Sequence, residues 1–143
     1  MAYHRKRPAP DPCPVEAVLK IVSGKWKVRV LHLLSLDELS FGELRNSIVG
    51  VRQQVLSSLL RDMIADGAVR QRKISSERSI YALTERGFEL VALLTPLAGW
   101  GNNLLAEQGV TWRPPEPRRS AQHGDGGKTY RTSGHPSAQN VQR

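Results

Sequence analysis

The chain has 143 residues, enough for one domain of the usual roughly 100–200 residues but not for two independent cores. Lys and Arg outnumber Asp and Glu by 21 to 13, a balance of +8 that favours a polyanionic partner without naming one. A single cysteine, Cys13, excludes an intrachain disulfide and a Cys-rich zinc site, and no apolar run approaches the roughly 18 residues that span a bilayer. The first residues also lack the apolar stretch of a signal peptide, so the expectation is a cytoplasmic protein with no membrane partner.

Charge and composition divide the chain in three. Residues 1–12 read as a flexible basic arm (+2), and residues 109–143 as a disordered basic tail (+4) rich in Pro, Gly, Ser and Arg. The folded unit, 13–108, carries only +2, so global charge says little about binding and placement within the fold must decide. Pro14 suits a first helical position and Glu16 its first turn, which predicts a short helix over Val15–Val22. A second helix follows over Lys25–Leu36. Ser40 and Glu43 then form a capping-box pattern at the start of a third, over Phe41–Ser47.

The segment Arg52–Asp66 is the most informative. On a helix, Val55, Leu56, Leu59, Leu60 and Met63 share one arc, while Gln53, Gln54, Ser57, Ser58 and Arg61 share the opposite one, which carries no acid. Gly67 marks its end. Val69–Ile74 and Ser79–Leu83 read as a hairpin around a polar tip, exposing Arg70, Arg72, Lys73 and Arg78. A last helix runs from Thr84 to about Ala106, with Pro96 expected to kink or divide it.

Three helices, the third close behind the second, and then a basic hairpin are the order of a winged helix-turn-helix: mainly α with a small β-hairpin. There the polar arc, entered at Arg52, can lie in a DNA major groove while the hairpin touches phosphates. Gln pairs with adenine edges and Arg with guanine edges, so the residue types suit the task. A solvated helix face and a soluble sheet edge account for each piece taken alone; their succession favours DNA binding. The alternative use of such a fold is as a protein-interaction or RNA-binding module without operator specificity.

The series Cys13–Glu16, Gly24-Lys-Trp26, Phe41–Arg45, Val55-Leu56 with Leu60-Arg61, Asp66-Gly67, Tyr81–Gly87 and Trp100-Gly101 resembles the HxlR-type branch of the MarR-like bacterial transcription regulators. The resemblance implies a homodimer joined through its terminal helices, each protomer offering a recognition helix and a wing to half of a pseudo-palindromic double-stranded operator. Its expected interface comprises Val18, Phe88, Val91, Leu94, Leu97, Trp100 and Leu104. The chain departs from the family at Arg52, where Ser or Thr commonly caps the recognition helix, and its wing tip is shorter and lacks proline.

Cys13, just before Pro14, belongs at the positive end of a helix dipole, a setting that favours reactive thiols, and it resembles the N-terminal cysteine with which some relatives sense oxidants or electrophiles. The competing role is a small apolar residue packed between protomers. The four histidines are scattered, and no nucleophile, phosphate-loop or metal-ligand pattern is present, so neither enzyme, metal nor cofactor is expected. A small-molecule effector remains a candidate partner.

Overall fold

The computed structural model describes residues 13–120; the arm at 1–12 and the tail beyond 120 lie outside the described residues. Five helices and a small sheet follow in the order α1 (Pro14–Val22), α2 (Lys27–Leu36), β1 (Leu39–Ser40), α3 (Phe41–Ser47), α4 (Gln53–Ala65), β2 (Val69–Lys73), β3 (Ser79–Leu83) and α5 (Glu85–Glu107). The winged helix-turn-helix architecture is the one expected. β1 was not: it is two residues long, and it pairs Leu39 with Tyr81 and Ser40 with Ile80, making the hairpin a three-stranded antiparallel sheet of order β1-β3-β2.

Local chemistry explains most boundaries. At the start of α3 the Glu43 N–H donates to Ser40 Oγ (3.3 Å) while the Ser40 N–H donates to Glu43 Oε2 (2.8 Å), so two orphan amides of the helix end are satisfied reciprocally. α4 ends where Gly67 takes a φ of +77°, and the Gly67 and Ala68 N–H groups return to the carbonyls of Ile64 and Met63. That pair of bonds needs a left-handed residue at Gly67, which glycine supplies at no steric cost. Arg52, at the N-cap of α4, makes no side-chain cap bond. The last helix passes through Pro96 undivided over 23 residues.

The core is formed by Val30, Leu31, Leu33 and Leu34 of α2, Leu39, Leu44, Leu56, Leu60 and Met63, closed by Val69, Tyr81 and Leu83 of the sheet. Burial raises the Tyr81 phenol above its ordinary range, so the ring packs uncharged at neutral pH. On α4 the expected apolar arc holds for Leu56, Leu59, Leu60 and Met63, but Val55 is 42% exposed. At about 100° per residue Val55 falls about 40° outside the arc of the other four, which puts it on the flank.

One junction ties α4, the wing and α5 together. The Thr84 hydroxyl donates to the Gly67 carbonyl and accepts from the Gly87 N–H (3.1 Å); the Thr84 N–H donates to the Ala68 carbonyl (3.1 Å), and Arg86 Nη1 to the Asp66 carbonyl (2.9 Å). The first turn of α5 thereby comes so close to β2 that a Cβ at Gly87 would stand 2.2 Å from the Ala68 carbonyl oxygen. A contact between backbones cannot be relieved by a rotamer change. Gly87→Ala should therefore cost about 3 kcal/mol or more of stability. Gly99→Ala, also in α5 but with open space around it, should add about 0.5–1 kcal/mol through helix propensity. Urea unfolding of both variants checks this; equal midpoints would mean that the close approach carries no cost.

Candidate nucleic-acid interface

The outward arc of α4 presents Arg52, Gln53, Gln54, Ser57, Ser58 and Arg61, all exposed, around one open, shallow depression without an acid among its lining residues. Helix periodicity puts them there, because the opposite arc is committed to the core. The structure adds Arg45, which the sequence reading did not assign: from the last turn of α3 its Nη1 donates to Gln53 Oε1 (3.4 Å). That bond engages the acceptor end of the Gln53 amide and leaves the NH₂ end, which can donate to an adenine N7 or a phosphate, without a partner among the described residues. The signal was present in principle, since Arg45 sits one turn from the α3–α4 connection, but periodicity within α4 alone does not reach it.

The wing is less uniform than the sequence implied. Along β2 successive side chains alternate faces, so Arg70 and Arg72 share one and Lys73 lies on the other. Glu38, in the α2–β1 connection, joins the first two: Oε1 is 3.5 Å from Arg70 Nη2 and Oε2 is 3.2 Å from Arg72 Nη2. All three side chains are well exposed, so water screens these pairs and each contributes little to stability. Their effect is on position and charge, because a single carboxylate aligns two guanidiniums and neutralises part of their field. The tip closes on itself, with Ser75 Oγ accepting from the N–H groups of Glu77 (3.4 Å) and Arg78 (3.1 Å).

The terminal helices carry the remaining predicted residues. Phe88, Leu97, Trp100 and Leu104 are exposed on α5, whereas Val18, Val91 and Leu94 are half-buried against the core of their own protomer. Leu93, exposed and not assigned from the sequence, completes a stripe with Leu97, Trp100 and Leu104 at the spacing of one helix face. Phe88 falls on a different flank. Cys13 is the exposed N-cap residue of α1, its side chain making no cap bond and its carbonyl accepting from the Ala17 N–H (3.0 Å). Trp26 is half-buried on the core, flanked by Lys25 and Arg29. Among the described residues no cluster of His, Cys, Asp and Glu is arranged to hold a metal ion, and no helix is long and apolar enough to cross a membrane.

Residues 110–120, at the start of the segment read as a disordered tail, have no helix or strand, yet they touch the folded unit. The Arg118 N–H donates to Ser47 Oγ (2.7 Å), and Arg119 pairs with Asp37.

Comparison with known proteins agrees with the fold. The family model described as HxlR-like helix-turn-helix matches residues 21–109. A protein of Methanothermobacter thermautotrophicus described as an HTH-type transcriptional regulator is 34% identical over 92 residues, covering 62% of this chain and 70% of its own. YtcD of Bacillus subtilis, described in the same words, is 32% identical over 91 residues, covering 62% and 72%. Among solved structures, the redox regulator HypR in its reduced form is similar with a TM-score of 0.61 at 29% identity, covering 67% of this chain and 99% of its own. A MarR-family regulator from Enterococcus faecalis V583 has a TM-score of 0.60 at 27% identity, covering 72% and 98%. This chain belongs to the HxlR-like helix-turn-helix family of transcriptional regulators, whose work is recognition rather than catalysis.

Proposed function

We propose that the protein is a homodimeric repressor that binds a pseudo-palindromic operator on cytoplasmic DNA, with residues 13–108 as its binding unit. The observation that carries this reading is the exposed, acid-free arc of Arg52, Gln53, Gln54, Ser57, Ser58 and Arg61, flanked by Arg45. A merely solvated helix face has no reason to exclude carboxylates; a face that meets phosphates and base edges does. In this reading the arc enters the major groove, the wing residues Arg70, Arg72, Lys73 and Arg78 take phosphates, and the α5 stripe joins two protomers. The stripe supports the last step because four large apolar side chains on one helix face are costly to leave in water.

Regulation through Cys13 belongs to the same proposal. Two features support it: the thiol is exposed at a helix N-terminus, and HypR, a structural neighbour, is a redox regulator solved in reduced and oxidized forms.

Two measurements test the groove and the wing separately. Gln53→Ala with Gln54→Ala should cost about 1–3 kcal/mol per good bidentate contact and flatten base preference, with folding unchanged because both side chains are exposed. Unchanged affinity and preference for an operator selected from genomic fragments would remove the arc from the interface. Glu38→Gln should strengthen binding to all duplexes about fivefold, equivalent to about 1 kcal/mol, by releasing Arg70 and Arg72 to phosphates, with base preference intact. Unaltered binding across a salt titration would show that those arginines do not meet DNA, and weaker binding would show that Glu38 aligns them for contact rather than holding them back.

A further inference from the structure

We propose that the hollow between α2 and α5, edged by Trp112 and Pro114 of the segment that follows α5, is a binding site for a small apolar molecule bearing a negative charge. α5 closes with the Val110 N–H returned to the Leu105 carbonyl, and the chain then runs back along the domain as a strap beyond the part that matches the family. The far end of the strap is pinned. Its Arg118 N–H donates to Ser47 Oγ, a hydroxyl that is itself buried and donates to the Glu43 carbonyl (2.6 Å), while Arg119 pairs with Asp37. Between this anchor and the end of α5, Trp112 and Pro114 border a hollow of about 540 Å³, within the roughly 300–1,000 Å³ of small-molecule sites.

The lining defines the ligand. Val28, Leu31, Val91, Leu94 and Ala98 make most of the walls, with His32, Thr95 and Asn102 as polar members, so the body of the molecule must be mainly apolar. Lys25 and Arg29 also line the hollow, and neither Asp nor Glu does. Both cations stand over the Trp26 ring, at 4.7 and 5.1 Å from its centre, and neither forms a salt bridge among the described residues. An anionic group at that end would gain charge-assisted hydrogen bonds, whereas a cationic one would be repelled. Trp112, 44% exposed and part of the lining, offers an occupant further apolar surface. The hollow also lies apart from the α5 stripe: Leu94 and Ala98 face it, while Leu93 and Leu97 belong to the other flank, so dimerisation through the stripe leaves it accessible.

The test uses the 143-residue chain without DNA, so its result is independent of the operator reading. The probes are 8-anilinonaphthalene-1-sulfonate, whose emission rises on leaving water, and N-phenyl-1-naphthylamine, the same rings without the sulfonate. Wild type should bind one sulfonate probe per chain. Lys25→Gln with Arg29→Gln should weaken that probe about tenfold and change the neutral one by less than about twofold. Ala98→Trp, which fills the hollow, should abolish binding of both; Trp112→Ala, which removes part of the edge from outside the helical core, should weaken both even if the filled variant does not fold. Sulfonate binding that survives loss of both cations would overturn the anionic assignment. Binding of both probes that is indifferent to Ala98→Trp and Trp112→Ala would assign them to the exposed α5 stripe and overturn the site.

Discussion

The close approach of α5 to the Ala68 carbonyl at Gly87 sets the geometry on which the rest of the molecule depends. Recognition by a helix-turn-helix dimer requires that the angle from recognition helix to wing, and from both to the dimerising helix, be held as one rigid unit. Here the exit of α4, the first residue of β2 and the first turn of α5 meet within a few residues: Thr84 and Arg86 donate to the Asp66, Gly67 and Ala68 carbonyls, and Gly87, whose N–H donates to the Thr84 hydroxyl, lets the two backbones come close. The Thr84 N–H bond to the Ala68 carbonyl and the close approach at Gly87 join backbone to backbone, so they constrain orientation without depending on rotamers, and the Thr84 hydroxyl and Arg86 guanidinium add side-chain ties to the same strand entry. A displacement of α5 is therefore passed to α4, the property a regulator needs if events at its terminal helices are to alter its grip on DNA.

Electrostatics supplies a second, more local constraint. The folded unit is nearly neutral, so in the proposed reading attraction to DNA arises from where its charges stand. α4 achieves this by exclusion, keeping acids off the arc that includes Arg52 and Arg61. The wing does it by balance, with Glu38 holding Arg70 and Arg72 at 3.5 and 3.2 Å. A carboxylate in that place lowers affinity for any phosphate backbone, and so raises the share of binding energy that must come from base contacts. Ion pairs this exposed add little to folding, which favours positioning as their role.

How much of this was legible in the sequence depended on whether the information was local. The two arcs of α4, the capping box of Ser40 and Glu43 and the stop at Gly67 follow from spacing within a few residues, and they stand where the sequence puts them except for Val55, which lies on the flank of the apolar arc. β1 escaped notice because two residues have no periodicity; it exists only through pairing with β3, far along the chain. Arg45 escaped because it belongs to α3 by sequence and to the α4 surface by packing. On α5, apolar spacing could not divide the side chains that pack inward, Val91 and Leu94, from those that stay exposed, Leu97 and Leu104, and it passed over Leu93. The strap was the least legible. Its Pro- and Arg-rich composition lacks any core signature, and the contacts of Arg118 and Arg119 lie with residues more than seventy positions away.

If two α4 arcs enter successive major grooves of one operator, methylation interference on a genomic fragment bound by the protein will reveal both. The account predicts that methylating guanine N7, a major-groove atom, blocks binding at two clusters about 10–10.5 base pairs apart, one for each protomer. A single cluster, or interference confined to adenine N3 in the minor groove, would contradict it.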